Sequence, residues 1–154
     1  MAKQSLKIPS VSKLPSQGLR QYYVKHQFKY RVIYEDTDAE GVVYYANYLG
    51  YFERGRTELI RELGISLKKL KEEKGMVFAV VKVDCEYKAP AHYDDEVTVE
   101  TEIEEAAGAT IVFNQKVMRQ DKVLVSAKIT LIALDTEKFK PRRLPQEFID
   151  AIKA

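Results

Sequence analysis

The sequence predicts one α+β domain, a curved antiparallel β-sheet wrapped around one long central helix. Three observations carry that prediction. Residues 24–32 alternate one face of Val24, His26, Phe28, Tyr30 and Val32 with a charged or polar one, and Tyr34 follows on the first face. A single helical stripe runs from about Asn47 to Leu63. Four strand-like runs then follow with no other long helix among them. One amphipathic helix hides its stripe by lying on the concave face of a sheet, which makes two packed layers.

In the first strand Val24, His26, Phe28, Tyr30, Val32 and Tyr34 share one side, and Lys25, Gln27, Lys29 and Arg31 the other. That is the period of two of a half-buried strand. His26 falls on the apolar side and reads as a packed or edge histidine rather than a ligand. In the helix, Tyr48, Phe52, Gly55, Leu59 and Leu63 form one face. Gly55 costs that helix about 1 kcal/mol against alanine, so its place in the stripe predicts close backbone approach by a neighbouring element. Glu53, Arg54, Arg56, Arg61 and Glu62 make the solvent face, with Glu53 and Arg56 spaced for a structural ion pair. Gly64 stops the helix. Ser66–Lys74 reads as a short charged helix closed by Gly75.

The later strands are expected at Val77–Tyr87, Glu96–Glu105, Ala109–Gln120 and Val123–Leu134. Ala107-Gly108 and Asp121-Lys122 suit hairpins, so the four read as a meander. Lys140–Pro145 is extended and basic, and Pro145 suits the first turn of a final short helix. An open sheet leaves edges, and dimerisation through one would protect it.

The chain has 154 residues, 45% hydrophobic and 31% charged, which suits one domain with a real core. Residues 1–20 show no period and are punctuated by Pro9, Pro15 and Gly18. They are expected to be a mobile basic tail, with residues 21–154 as the folded domain. A net charge of +2 is too small to point to nucleic acid. No stretch approaches the roughly 20 apolar residues of a membrane span, and the N-terminus lacks the apolar core of a signal peptide. The lone cysteine, Cys85, excludes an internal disulfide and fits a reducing cytoplasm. Inside a strand-like run it reads as a small packed apolar residue.

Between the first strand and the long helix lie Glu35, Asp36, Asp38, Glu40 and Gly41. Amide groups at a helix start stabilise developing negative charge. A carboxylate beside them can serve as nucleophile or general base. That pairing suits attack on a carbonyl. Two other readings compete on spacing alone. The acids can simply complement the helix dipole or cap turns. They also imitate the start of an EF-hand calcium loop, but its last ligand position holds Asn47 instead of a bidentate Glu, and a strand precedes it.

The run Tyr34-Glu-Asp-Thr-Asp-Ala-Glu-Gly-Val-Val-Tyr-Tyr-Ala-Asn-Tyr-Leu49 is followed by Phe52-Glu-Arg-Gly-Arg-Thr-Glu58. Together they resemble the hotdog-fold acyl-CoA thioesterases. Within these the likeness is to the 4-hydroxybenzoyl-CoA thioesterase group and its branch associated with the Tol–Pal envelope system. Asp84-Cys-Glu-Tyr-Lys-Ala-Pro-Ala-His-Tyr-Asp-Asp95 and Lys138-Phe-Lys-Pro-Arg142 resemble the same branch. The likeness covers roughly residues 26–150.

The resemblance implies a catalytic Asp38, an oxyanion donor in the backbone N–H of Tyr45, and a close backbone turn at Gly41. Many members of the branch carry His where this chain has Tyr45, so a histidine base is disfavoured here. Aromatic-thioester members can carry an aromatic at that place. Tyr44, Tyr45, Tyr48, Tyr51 and Phe52 read either as core and dimer packing or as the lining of an acyl pocket. Tyr44, Tyr48, Lys88 and Arg119 are the candidate substrate contacts. Lys140, Arg142 and Arg143 are further candidates for the phosphates of coenzyme A, although each alone also reads as a solvated charge. No cofactor and no metal are expected, and the resemblance implies a homotetramer built as a dimer of dimers. A hydratase of the same fold is disfavoured, because His26 and His92 both lie outside the motif loop. The reading from another class is a non-catalytic acyl-chain or acyl-carrier binding module, which would keep the pocket without depending on Asp38.

Overall fold

The computed structural model describes residues 24–153. The tail expected over residues 1–20 lies outside them. Strand β1 (Lys25–Arg31) is followed by a single 3-10 turn (Tyr34–Asp36), helix α1 (Asn47–Glu62) and helix α2 (Leu67–Lys74). Strands β2 (Met76–Tyr87), β3 (Glu96–Ala107), β4 (Thr110–Arg119) and β5 (Lys122–Asp135) precede helix α3 (Gln146–Lys153). All strand pairs are antiparallel, in the order β1-β3-β4-β5-β2.

That order corrects the expected four-strand meander. β3, β4 and β5 do form one, but β2 pairs with β5 at the far edge instead of with β3. The physical reason is the connection over residues 88–95. It contains Pro90, is too long for a tight hairpin, and packs beside the motif loop through Val43 N–H to Ala91 O (2.9 Å). The chain therefore crosses from the β2 edge past β5 and β4 to β3, which lies next to the other edge strand, β1.

Helix α1 lies on β3, β1 and β4. Phe52 and Leu59 are fully buried on it, each contributing about 1.5–3 kcal/mol of burial. Val97, Val99 and Ile103 of β3 and Ile111, Phe113 and Val117 of β4 face the same core. Gly55 sits where the helix touches the sheet. A methyl there would overlap Thr101 Oγ1 and lie 3.0 Å from Gln115 Nε2 and 3.1 Å from Val99 Cγ1. The close approach is made by side chains of β3 and β4 rather than by the neighbouring backbone expected from the sequence.

The buried face of α1 is wider than the expected stripe, because Tyr51, Arg56 and Ile60 join it. Arg56 is the correction that matters. It is only 7% exposed, and Nη1 donates to Gln115 Oε1 (3.0 Å). Gln115 in turn donates to Phe52 O (2.8 Å) and Thr101 Oγ1 (2.8 Å). Sequence spacing could not reveal this, because the partner comes from β4. The expected Glu53–Arg56 pair does not form, and the i,i+3 pair on this helix is Arg61–Glu58 (3.3 Å).

Ser66 caps α2 through Lys69 N–H (3.2 Å), and Gly75 closes it in the left-handed conformation at φ 59°. Pro145 stands just before α3 and accepts from Phe148 N–H (3.0 Å). No helix among the described residues is long and apolar enough to cross a membrane.

Candidate active site

β1 ends at Arg31, short of the Tyr34 that the alternation suggested. The cause is Asp36, whose carboxylate accepts from Ile33 N–H (2.9 Å) and the Tyr30 hydroxyl (3.1 Å) and turns the chain. Tyr34 is left 76% exposed, with its ring stacked on Tyr93 at 4.1 Å. Asp36 is therefore a structural carboxylate, whereas Asp38, like Glu35 and Glu40, is exposed.

The Asp38 turn is closed on itself. Asp38 N–H donates to Val42 O (2.9 Å), Gly41 N–H to Asp38 O (3.0 Å), and Glu40 N–H to Asp38 Oδ1 (2.9 Å). Gly41 takes φ 77°, the left-handed region where a side chain is disfavoured. Its carbonyl accepts from Tyr93 N–H (3.0 Å), which fastens the turn to the 91–95 segment.

Helix α1 begins without a capping side chain. Ala46 is its N-cap, and no acidic residue occupies its first turn. Its positive dipole end is therefore not neutralised from within the helix. Among the described residues the Tyr45 amide has no acceptor. The Tyr45 side chain is 60% exposed, and its carbonyl accepts from the Tyr87 hydroxyl (3.2 Å). Burial, then contact with Cys85, pushes the Tyr87 hydroxyl up to about 12, so it remains a donor at neutral pH.

A cavity of about 280 Å³ opens beside this helix start, lined by Val43, Tyr45, Tyr48, Tyr87, Lys88 and Pro90, among others. Three sequence-predicted residues thus meet there: Tyr45, Tyr48 and Lys88. The expected aromatic cluster divides. Tyr48, Tyr51 and Phe52 are buried, whereas Tyr44 and Tyr45 are exposed with their rings 4.8 Å apart. The Tyr48 hydroxyl accepts from Ala91 N–H (3.0 Å), and burial raises it above the ordinary phenol range. Asp38, Gly41 and Tyr44 lie outside the cavity lining. Cys85 is half-buried, and burial raises its thiol, which fits packing rather than reactivity.

Arg119 is engaged by Asp95 at 2.7 Å. Asp95 Oδ2 also accepts from His92 N–H (2.9 Å). This cluster braces the segment behind the Gly41 turn, a role that only the fold reveals. Lys140, Arg142 and Arg143 lie elsewhere. β2 begins opposite Asp135, where Leu134 bridges Pro141, and ends opposite Val125, next to Lys88. Within one chain these basic residues stand at the opposite end of β2 from Lys88.

Burial works to raise the Asp95 carboxyl, but the bonds from the His92 amide and Arg119 outweigh it and hold the group below its ordinary value. A depressed folded-state value contributes stability above the unfolded value of about 3.9 and loses it as pH falls through the folded value. Asp95→Asn is expected to be less stable than wild type at neutral pH and to converge on it below about pH 4. Thermal melts across that range check this, and a constant difference at every pH would refute it.

An exposed aspartate in the tight turn of the loop that leads into an uncapped helix, on a curved sheet around one helix, fits the class of hydrolases that act on activated carbonyls. Comparisons with known proteins agree. The fold is that of 4-hydroxybenzoyl-CoA thioesterase from Pseudomonas sp. strain CBS-3, with a TM-score of 0.77 at 22% identity over 84% of this chain and 99% of that one. Residues 40–126 match the family model of the Thioesterase superfamily. The chain is 45% identical over 120 residues to the acyl-CoA thioesterase YbgC of Haemophilus influenzae, covering 78% of this chain and 88% of that protein. It is 40% identical over 124 residues to the acyl-CoA thioester hydrolase YbgC of Escherichia coli O157:H7, covering 80% and 92%.

The chain belongs to the thioesterase superfamily. It is a thioester hydrolase with the hotdog fold. The family and branch read from the motif are borne out by these relatives.

Proposed function

We propose that the substrate is an acyl-CoA thioester, hydrolysed to the free acid and coenzyme A with Asp38 as nucleophile or general base. As nucleophile, an Asp38 carboxylate oxygen bonds to the thioester carbon and the carbon–sulfur bond breaks. The electron pair leaves on the coenzyme A thiolate. Water then opens the acyl–Asp38 anhydride, releases the acid and restores the carboxylate. As general base, Asp38 takes the proton of the attacking water instead. A thiolate is a good leaving group, so neither route demands a strong acid.

The observation that carries this reading is the open Tyr45 amide at the start of a 16-residue uncapped helix, close in sequence to the closed Asp38 turn. That amide holds the oxyanion, with Gly41 shaping the adjoining turn. Loss of one such donor in other enzymes costs about 2.7–4 kcal/mol. Tyr48 and the exposed ring of Tyr44 flank the acyl group. Lys88, with the Arg119 donors that Asp95 leaves over, meets the phosphates.

On the same reading the protein acts in the cytoplasm, which its single Cys85 suits. It assembles as a homotetramer, a dimer of dimers. The edge strand β2 supports assembly, since Val80 and Val83 are exposed along it. Light scattering should give the tetramer mass, and a stable monomer at micromolar concentration would refute the assembly. The activity is tested by thiol release from short, long and aromatic acyl-CoAs. Hydrolysis of at least one is expected. Binding without hydrolysis of any would favour an acyl-binding module.

A further inference from the structure

Asn47 is the first residue of α1, one position too late to cap it. Its side chain turns away from the helix amides. Nδ2 donates to the backbone oxygen of Asp36 (2.8 Å). The same oxygen accepts the Tyr44 N–H (2.9 Å). One carbonyl thus joins three pieces of the chain. Asp36 stands two residues before Asp38, Tyr44 stands one before Tyr45, and Asn47 opens the helix. The Asp36 end is anchored by its own carboxylate, which holds Ile33 N–H and the Tyr30 hydroxyl. The Asp38 end is anchored by the bond to Val42 O. Asn47 joins α1 to the backbone of the 34–46 loop, and the Tyr51 hydroxyl of the same helix lies near the Asp36 carboxylate.

We propose that Asn47 is a positioning residue that holds the Asp38 turn against the Tyr45 amide by clamping the Asp36 carbonyl to the first turn of α1. The inference rests on the proposed roles of Asp38 and Tyr45. It needs a side chain that donates without bringing charge. An amide satisfies this, whereas a carboxylate of the same shape only accepts. Backbone bonds from Asp38 N–H to Val42 O and from Tyr44 N–H to Asp36 O tie the turn to the segment before Tyr45, and Asn47 fastens that segment to α1 itself. Small misplacements of catalytic groups cost on the order of 10²-fold in rate.

Asn47→Asp separates positioning from mere stability. An acid in the first helical turn is favourable for the helix dipole and offsets the lost bond, so the melting temperature should stay near that of wild type. The same change removes the donor and sets a negative charge against the Asp36 oxygen. The expected result is a kcat lowered on the order of 10²-fold with KM little changed, the mark of a contact that matters in the transition state. Hydrogen exchange gives a readout independent of turnover. Residues 36–46 should exchange faster in the variant, while residues 52–62 keep their protection. A wild-type kcat, or unchanged exchange over 36–46, would overturn the proposal. So would loosening of the whole helix together with a lower melting temperature. If wild-type protein hydrolyses no acyl-CoA, the proposed substrate fails, and the exchange data still decide whether Asn47 holds the loop.

Discussion

Replacing Asp38 by alanine is expected to lower acyl-CoA turnover by roughly 10²–10⁴-fold or more, the range of a lost general base or nucleophile. Acyl-CoA affinity should stay near that of wild type. The split follows from the geometry. Asp38 is exposed in a turn closed by backbone bonds, and it lies outside the cavity lined by Tyr45, Tyr48 and Lys88. Among the described residues, the side chain itself makes only the local bond from Glu40 N–H. Removing it leaves the core intact, so loss of rate cannot be blamed on unfolding. Asp36→Ala should behave differently, because that carboxylate holds Tyr30 and Ile33. Steady-state rates and equilibrium binding, measured side by side, check the claim. Near-normal turnover in Asp38→Ala would remove Asp38 from the mechanism.

Gly55→Ala is expected to destabilise the fold, although local helix propensity argues the reverse. Alanine favours a helix interior by about 1 kcal/mol over glycine. Against this, the new methyl overlaps Thr101 Oγ1 and crowds Gln115 Nε2 at 3.0 Å. Both residues are buried, and Gln115 links Phe52 O, Thr101 and Arg56. Overpacking costs about 1–3 kcal/mol, and leaving a buried polar group unsatisfied costs about 1–3 kcal/mol more. The net expectation, after the gain in helix propensity, is a loss of roughly 1–5 kcal/mol. Urea or thermal unfolding measures it. Combining Gly55→Ala with Thr101→Ala should cost less than the two single changes added, because the second removes the atom the first collides with. A Gly55→Ala protein as stable as wild type would show that the helix can lift off the sheet without penalty.

Much of this protein was legible in its sequence because the signals are local. The α1 boundaries follow from the periodic stripe ending before Gly64. Ser66 and Gly75 mark α2 through backbone preferences carried by single residues. The motif from Tyr34 to Leu49 carries the family, and the family relatives agree with it. Three features were not legible, the first because of a short-range turn and the other two because the partner lies far along the chain. Tyr34 continues the alternation of β1, yet Asp36 folds its carboxylate back onto Ile33 and ends the strand. Arg56 has the composition of a solvent face, yet Gln115, 59 residues away, receives its guanidinium. Arg119 looks like one more surface cation, yet Asp95 and the 91–95 segment claim it.

Sequence by itself determined the elements, the long helix with its glycine contact, the carboxylate loop before that helix, and the family. Period, caps and turn residues act over a few positions, so they can be read along the chain. Tertiary structure alone decided that β2 joins β5, that one end of the sheet gathers Tyr45, Tyr48 and Lys88 while Arg142 stands at the other, and that Asn47 reaches Asp36. These depend on which strand edge meets which, and on side chains meeting across the fold. Hydrophobic patterning selects a buried face, but it does not name the partner that will cover it.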